Sequence, residues 1–161
     1  MEKKELKFLI DVYNDLNELP IEDAQLLTEA KKATQFAYAP YSRFRVAAVA
    51  RLANGKIISG TNQENASFPV GICAERVLLS SIASQFPGAV VEAIAISYKN
   101  ENGESKHPIS PCGICRQSLQ EYEQRMKHPI RLILGGQEGK IYVIHNAASL
   151  LPLAFTSEEL Q

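Results

Sequence analysis

The chain has no tryptophan, two methionines, three histidines and only three cysteines among its 161 residues. Three cysteines are an odd number and too few for a disulfide scaffold, so the fold must rest on an apolar core. No apolar run approaches the roughly 20 residues a membrane-crossing helix needs. The start Met1-Glu2-Lys3-Lys4 leads into no signal-type apolar block. Neither sign of charge dominates: 17 Lys and Arg against 18 Asp and Glu leave a formal charge of −1. Such a balance offers no broad cationic surface to phosphate backbones or anionic lipid. Internal repeats and low-complexity linkers are also missing. These absences predict one domain over residues 1–161, cytoplasmic, with no nucleic acid or membrane as partner.

What is present is ordinary for a packed domain: 45% hydrophobic and 22% charged residues. Leu6, Leu9, Ile10, Tyr13 and Leu16 recur at helical spacing and predict an N-terminal helical segment over about residues 1–20, closed by Pro20. Leu26, Leu27, Ala30, Ala33 and Ala37 predict a second helix that stops before Pro40. Phe44 to Leu52 and Lys56 to Gly60 are β-prone runs joined by Ala53-Asn54-Gly55, a hairpin signal because Asn and Gly tolerate positive φ.

Cys73 to Phe86 carries Val77, Leu78, Ile82 and Phe86 on one helical face, closed by Pro87-Gly88. Val90 to Tyr98 reads as a buried strand, and Cys115, Leu119, Tyr122 and Met126 mark another helix ended by His128-Pro129. Ile130 to Leu134 and Lys140 to Ile144 are two more short strands. A hairpin followed by helix-strand alternation predicts a three-layer α/β/α sandwich around a mixed sheet of roughly five strands.

All three thiols fall in two segments that begin helices. One is Cys73-Ala74-Glu75-Arg76 and the other Pro111-Cys112-Gly113-Ile114-Cys115-Arg116. Cysteines three apart at a helix start place both sulfurs on one side of the first turn. Three thiolates can hold one zinc ion and leave a fourth position open, and helix N-termini favour the anionic sulfur. A C-x-x-C pair alone also fits a structural zinc half-site, with His107 the nearest further ligand, or a redox pair. Glu75 discriminates: a structural site has no need of a carboxylate two residues after its ligand, whereas a hydrolytic site needs a group that moves protons. Arg76 and Arg116 adjoin the two segments and are candidates to offset the thiolate charge; each also reads as a solvated helix residue.

Five segments in order resemble the cytidine deaminases of the short, homotetrameric type. They are Ala39-Pro40-Tyr41-Ser42-Arg43-Phe44-Arg45-Val46, Asn62-Gln63-Glu64-Asn65-Ala66, Gly71-Ile72-Cys73-Ala74-Glu75-Arg76, Ser110 to Gln117, and Leu150-Leu151-Pro152-Leu153-Ala154-Phe155. The resemblance runs from about Leu26 to Leu160. It implies one Zn²⁺ per chain on Cys73, Cys112 and Cys115, Glu75 as proton shuttle, and Asn62 and Glu64 on the sugar hydroxyls. An amide and a carboxylate two apart on a strand share a face and can chelate a diol. It also implies that Phe44 and Ala74 line the pyrimidine site and that Phe155 enters a neighbouring subunit's pocket in a homotetramer, although plain core is the alternative for both Phe44 and Phe155. The reaction implied is hydrolytic deamination of cytidine and 2′-deoxycytidine to the uridines with release of ammonia, a step of pyrimidine salvage. Deaminases of bases in nucleic acid often use His as first ligand, where this chain has Cys73. Blasticidin-S deaminases lack the Asn-x-Glu pair. Two departures stand out: Ala47 where relatives often have Gly, a small change expected to shift slightly a strand of the pocket wall, and Phe68 where they often have Tyr.

Overall fold

The computed structural model describes residues 1–160. Its centre is one six-stranded sheet built from β1 (Asp11–Tyr13), β2 (Phe44–Leu52), β3 (Ile57–Thr61), β4 (Val91–Asn100), β5 (Arg131–Gly135) and β6 (Ile141–Ile144). The strand order is β1-β6-β5-β4-β2-β3. Only β4 and β5 run parallel, and the long helix between them in sequence makes the crossover that parallel neighbours require. Three α-helices accompany the sheet: α1 (Ile21–Ala33), α2 (Ala74–Gln85) and α3 (Gly113–Met126).

Strand alternation sorts the core into two layers. Ala48, Ala50 and Leu52 of β2, Ile94 and Ile96 of β4, and Leu132 and Leu134 of β5 face one way and pack against Leu78 and Ile82 of α2 and Leu119 of α3. Ala47, Val49, Ala93, Ala95 and Ile133 face the other way, against Leu26, Leu27 and Ala30 of α1. Helices on both faces of a mixed sheet make the expected α/β/α sandwich. The central strands are buried on both sides, which is why they read as continuous apolar runs rather than alternating ones.

The sixth strand corrects the N-terminal reading. Residues 1–10 adopt neither helix nor strand, and Asp11–Tyr13 pairs antiparallel with β6, Val12 opposite Tyr142. A segment of about 12 residues makes a marginal helix in water. Here the open edge of β6 offers ladder hydrogen bonds instead, and His145 Nε2 meets Asp11 Oδ2 at 2.7 Å. Tyr13 and Leu16, two members of the supposed helical stripe, pack against the α1-side core from this extended arrangement.

The approach of α2 to the sheet depends on Gly60 in β3. A Cβ there would lie 2.6 Å from the Ala74 carbonyl oxygen and clash with the Leu78 backbone nitrogen. Its absence lets the first turn of α2 sit directly on the β2–β3 hairpin. Gly60 pairs with Ala48 of β2, so the helix begins above that point. Val46 and Phe44, next along the same face, extend beyond the helix end.

Candidate active site

Cys73 and Cys112 occupy the N-cap positions of α2 and α3, both with extended backbone, at φ −73°, ψ 153° and φ −67°, ψ 169°. Both helices run antiparallel to β4 in the crossover pattern, so their N-termini lie at its carboxyl end, where open α/β sheets place their ligands. Cys115 sits in the first turn of α3, fully buried. Across a chain separation of 39 residues, the Cys73 and Cys112 sulfurs come to 3.8 Å, and the Cys112 and Cys115 sulfurs to 3.5 Å. All three lie within 4.8 Å of one another.

Sulfurs bonded to one tetrahedral zinc at about 2.3 Å would stand roughly 3.8 Å apart. The observed separations fit that requirement, and three soft donors with one side open suit zinc in a hydrolytic setting. His107, the fourth ligand a structural site would call on, is engaged elsewhere: its Nδ1 lies 3.3 Å from the Tyr98 hydroxyl. Among the described residues the convergent donor group consists of the three cysteines alone.

The thiols are electrostatically unequal. Hydrogen bonding from Cys115, aided by Cys112 and the charge of Arg76, brings Cys73 down to about 6. The same bond to Cys73, together with burial, pushes Cys115 up. Hydrogen bonds among the three sulfurs and the α2 N-terminus favour an anionic sulfur in this group.

Glu75, in the first turn of α2, is 5% exposed. Burial pushes its carboxyl up, opposed by its own backbone N–H and the Cys115 thiol. A carboxyl that retains its proton more readily than usual, beside the sulfurs, is suited to taking and returning one. Ala74 is fully buried between the first ligand and this acid.

The two arginines differ. Arg76 contributes its charge to Cys73. Arg116 instead donates from Nε to the Pro111 carbonyl at 2.8 Å and from Nη1 to the Leu150 carbonyl at 3.2 Å. It ties the loop before Cys112 to the C-terminal segment.

Asn62 follows β3 directly, and the chain stays extended because Gln63 bridges both Tyr38 and Ile72. Asn62 and Glu64 lie just beyond β3, either side of Gln63. Each also has a local partner that spacing could not reveal. Asn62 donates from Nδ2 to the Phe44 carbonyl at 2.9 Å and accepts from the Val46 N–H at 2.7 Å, clasping the start of β2. Glu64 Oε2 accepts from the Tyr41 and Ser42 N–H groups at 2.9 and 3.3 Å, and hydrogen bonding to Ser42 lowers its carboxyl.

Phe44 is half-buried and stacks on Tyr98, ring centroids 4.9 Å apart at an interplanar angle of 19°. Sequence reasoning passed over Tyr98, although Ile94, Ile96 and Tyr98 alternate onto the α2–α3 face of β4. Phe155 is 59% exposed, which excludes plain core; its carbonyl accepts from Gln117 Nε2 at 2.9 Å. Ala47 is buried under α1, on the face of β2 opposite Phe44 and Val46. Phe68 is 78% exposed and meets Tyr41 edge-on at 6.2 Å.

This geometry agrees with comparisons to known proteins. Residues 20–128 match the family model described as the cytidine and deoxycytidylate deaminase zinc-binding region. A cytidine deaminase of Halalkalibacterium halodurans is 39% identical over 135 residues, covering 84% of this chain and 95% of that one. A second, from Sporosarcina psychrophila, is 35% identical over 84% of this chain and 93% of its own length. The crystal structure of the Burkholderia pseudomallei cytidine deaminase superposes with a TM-score of 0.69 at 38% identity, covering 81% of this chain and 97% of that one. With its three cysteines gathered at two helix N-termini, this chain belongs to the zinc-binding cytidine and deoxycytidylate deaminase family.

Proposed function

We propose that the protein catalyses hydrolytic deamination of cytidine and 2′-deoxycytidine, giving the corresponding uridine and ammonia. The observation that carries this reading is the convergence of the Cys73, Cys112 and Cys115 sulfurs within 4.8 Å beside buried Glu75. One Zn²⁺ per chain, held by those sulfurs, supplies a Lewis acid that lowers the pKa of the attacking water.

The rest of the chemistry belongs to side chains. Glu75 takes one proton from the water as its oxygen attacks C4 and passes it to N3; it then takes the proton of the new C4 hydroxyl and delivers it to the departing amine. Water adds and ammonia leaves, so the carboxyl ends as it began. Phe44 and Val46, in front of the α2 N-terminus, floor the base site with Ala74 beside it. Asn62 and Glu64 hold the sugar hydroxyls. Asn62 keeps one N–H beyond the one given to Phe44, and Glu64 keeps an oxygen beyond the one given to the Tyr41–Ser42 turn. Arg76 offsets the charge on the sulfurs, and Arg116 holds Cys112 in place.

The substrate is a free nucleoside, its product feeding pyrimidine salvage in the cytoplasm. A formal charge of −1 supports a substrate other than nucleic acid, and no helix is long and apolar enough to cross a membrane among the described residues. The assembly is a homotetramer in which Phe155 completes a neighbouring pocket. In its support, Tyr41, Phe68, Val70, Ile114, Leu153 and Phe155, each in or beside one of the matching segments, are all exposed.

The test is incubation of purified protein with cytidine, following the loss of cytidine absorbance and the release of ammonia, with zinc measured on the same sample. Deamination with one zinc per chain is expected. One zinc per chain with no change in absorbance would instead mark a zinc-stabilised binding module. Light scattering checks the assembly: a fully active monomer would refute the shared pocket.

A further inference from the structure

Behind Phe44 lies a second aromatic ring that the chemistry above does not use. Tyr98 is 1% exposed, stacked on Phe44, and its buried hydroxyl needs a partner. That partner is His107, at 3.3 Å, whose ring also meets the Tyr98 ring at 61° with centroids 5.8 Å apart. His107 is at the surface, on the loop between β4 and α3 that leads to Cys112.

The loop is held in position before it reaches His107. The Ser105 hydroxyl accepts from the Asn100 N–H at 2.9 Å, and the Ser105 carbonyl accepts from the Glu138 N–H at 3.2 Å. A Cβ at Gly136 would collide with that carbonyl, and one at Gly139 with the carbonyl of Lys106. Two glycines thus let the loop lie directly on the turn between β5 and β6. His107 is delivered to Tyr98 by backbone packing, not by a flexible side chain finding it.

We propose that Tyr98 and His107 are positioning residues for the pyrimidine base. His107 fixes the Tyr98 hydroxyl, Tyr98 backs the Phe44 ring, and Phe44 presents its remaining surface to the base. From the other side, Asn62 clasps the Phe44 carbonyl, so the ring is set by backbone and by stacking together. A floor held in this way orients the ring in the free enzyme and spares the substrate that ordering. The proposal rests on the reading of Phe44 as part of the base site.

The experiment compares Phe44→Leu, Tyr98→Leu, Tyr98→Phe and His107→Ala by KM and kcat for cytidine, inhibition by uridine, and zinc per chain. Phe44→Leu and Tyr98→Leu should each raise KM and the uridine inhibition constant about 2- to 10-fold, the range of a stacked aromatic pair. kcat should change less than about 2-fold, and one zinc per chain should remain, because neither ring moves a proton or offers the metal a ligand. Tyr98→Phe and His107→Ala remove the same hydrogen bond. Each should raise KM about 2- to 5-fold, and the double variant should be no worse than either alone.

If Phe44→Leu raises KM while zinc-loaded Tyr98→Leu leaves it within 2-fold, the proposal is overturned and the base-site reading stands. If Phe44→Leu itself leaves KM unchanged, the base-site reading fails and the proposal with it. Should Tyr98→Leu not fold, the two milder variants decide: unchanged KM in both overturns the proposal.

Discussion

Arg116 donates from Nε to the carbonyl of Pro111 at 2.8 Å, one residue ahead of Cys112. Its second bond, to the Leu150 carbonyl, spans 34 positions and joins the ligand loop to the segment that carries Phe155. Arg76 lacks such a clamp and acts on Cys73 through charge. A lysine cannot make two forked bonds of this kind. Arg116→Lys should therefore lower zinc affinity about 10- to 100-fold, as losing support behind a ligand usually does. Competition with a chelator measures this, and unchanged affinity would show that Cys112 is held by other means.

Glu75→Gln keeps the shape of the side chain and removes its proton chemistry. Turnover of cytidine should fall by about 10²- to 10⁴-fold, the usual contribution of a positioned acid–base group. Zinc content and thermal stability should stay near those of the parent. Near-normal kcat in a zinc-loaded variant would remove Glu75 from the proposed reaction.

Glu64 has two tasks, which separate its variants. Glu64→Ala leaves the Tyr41 and Ser42 N–H groups without their acceptor as well as removing the sugar contact. Glu64→Gln retains an acceptor oxygen. KM for cytidine should rise in both, by more in the alanine variant, with kcat less affected. Equal KM values for parent and Glu64→Ala would mean that the sugar sits elsewhere.

Gly60→Ala places a methyl 2.6 Å from the Ala74 carbonyl and against the Leu78 backbone. Backbone atoms of a packed helix cannot yield cheaply. The expected loss is about 1–3 kcal/mol of stability, with weaker zinc binding because Cys73 precedes the displaced turn. Denaturant unfolding and chelator competition together check this.

Glu123 supplies the pH prediction. Its Oε1 accepts from the Ile130 and Ala147 N–H groups at 2.7 and 2.9 Å, and Oε2 accepts from Ala148 at 3.3 Å. Burial still pushes its carboxyl up, with those three bonds opposing. An acid raised in the folded state binds its proton more tightly there than in the unfolded chain. Its stabilising contribution is therefore complete below the unfolded value of about 4.3. That contribution is lost as pH rises through the folded value. The stability of the parent relative to Glu123→Gln should fall as pH is raised from about 4 towards 7, read from urea unfolding at each pH. A difference that grows with pH would mean the backbone donors outweigh burial.

Much of the core was legible because its signals are local. The periodicity of Leu26, Leu27 and Ala30, the Asn54-Gly55 turn, and the apolar run from Val91 to Tyr98 each fall in the expected element. The N-terminal stripe misled because a strand edge, invisible in that segment, offered Asp11–Tyr13 a better set of hydrogen bonds than a short helix.

The sequence by itself determined the metal donors: C-x-x-C at a helix start, with a cysteine and a nearby carboxylate at another, is short-range chemistry that survives without coordinates. Only the tertiary structure decided how those donors are supported. That Arg116 reaches the Leu150 carbonyl, that Asn62 holds β2, and that Tyr98 stands behind Phe44 all depend on contacts between residues far apart in the chain. Chain spacing carries no record of them, because packing creates them.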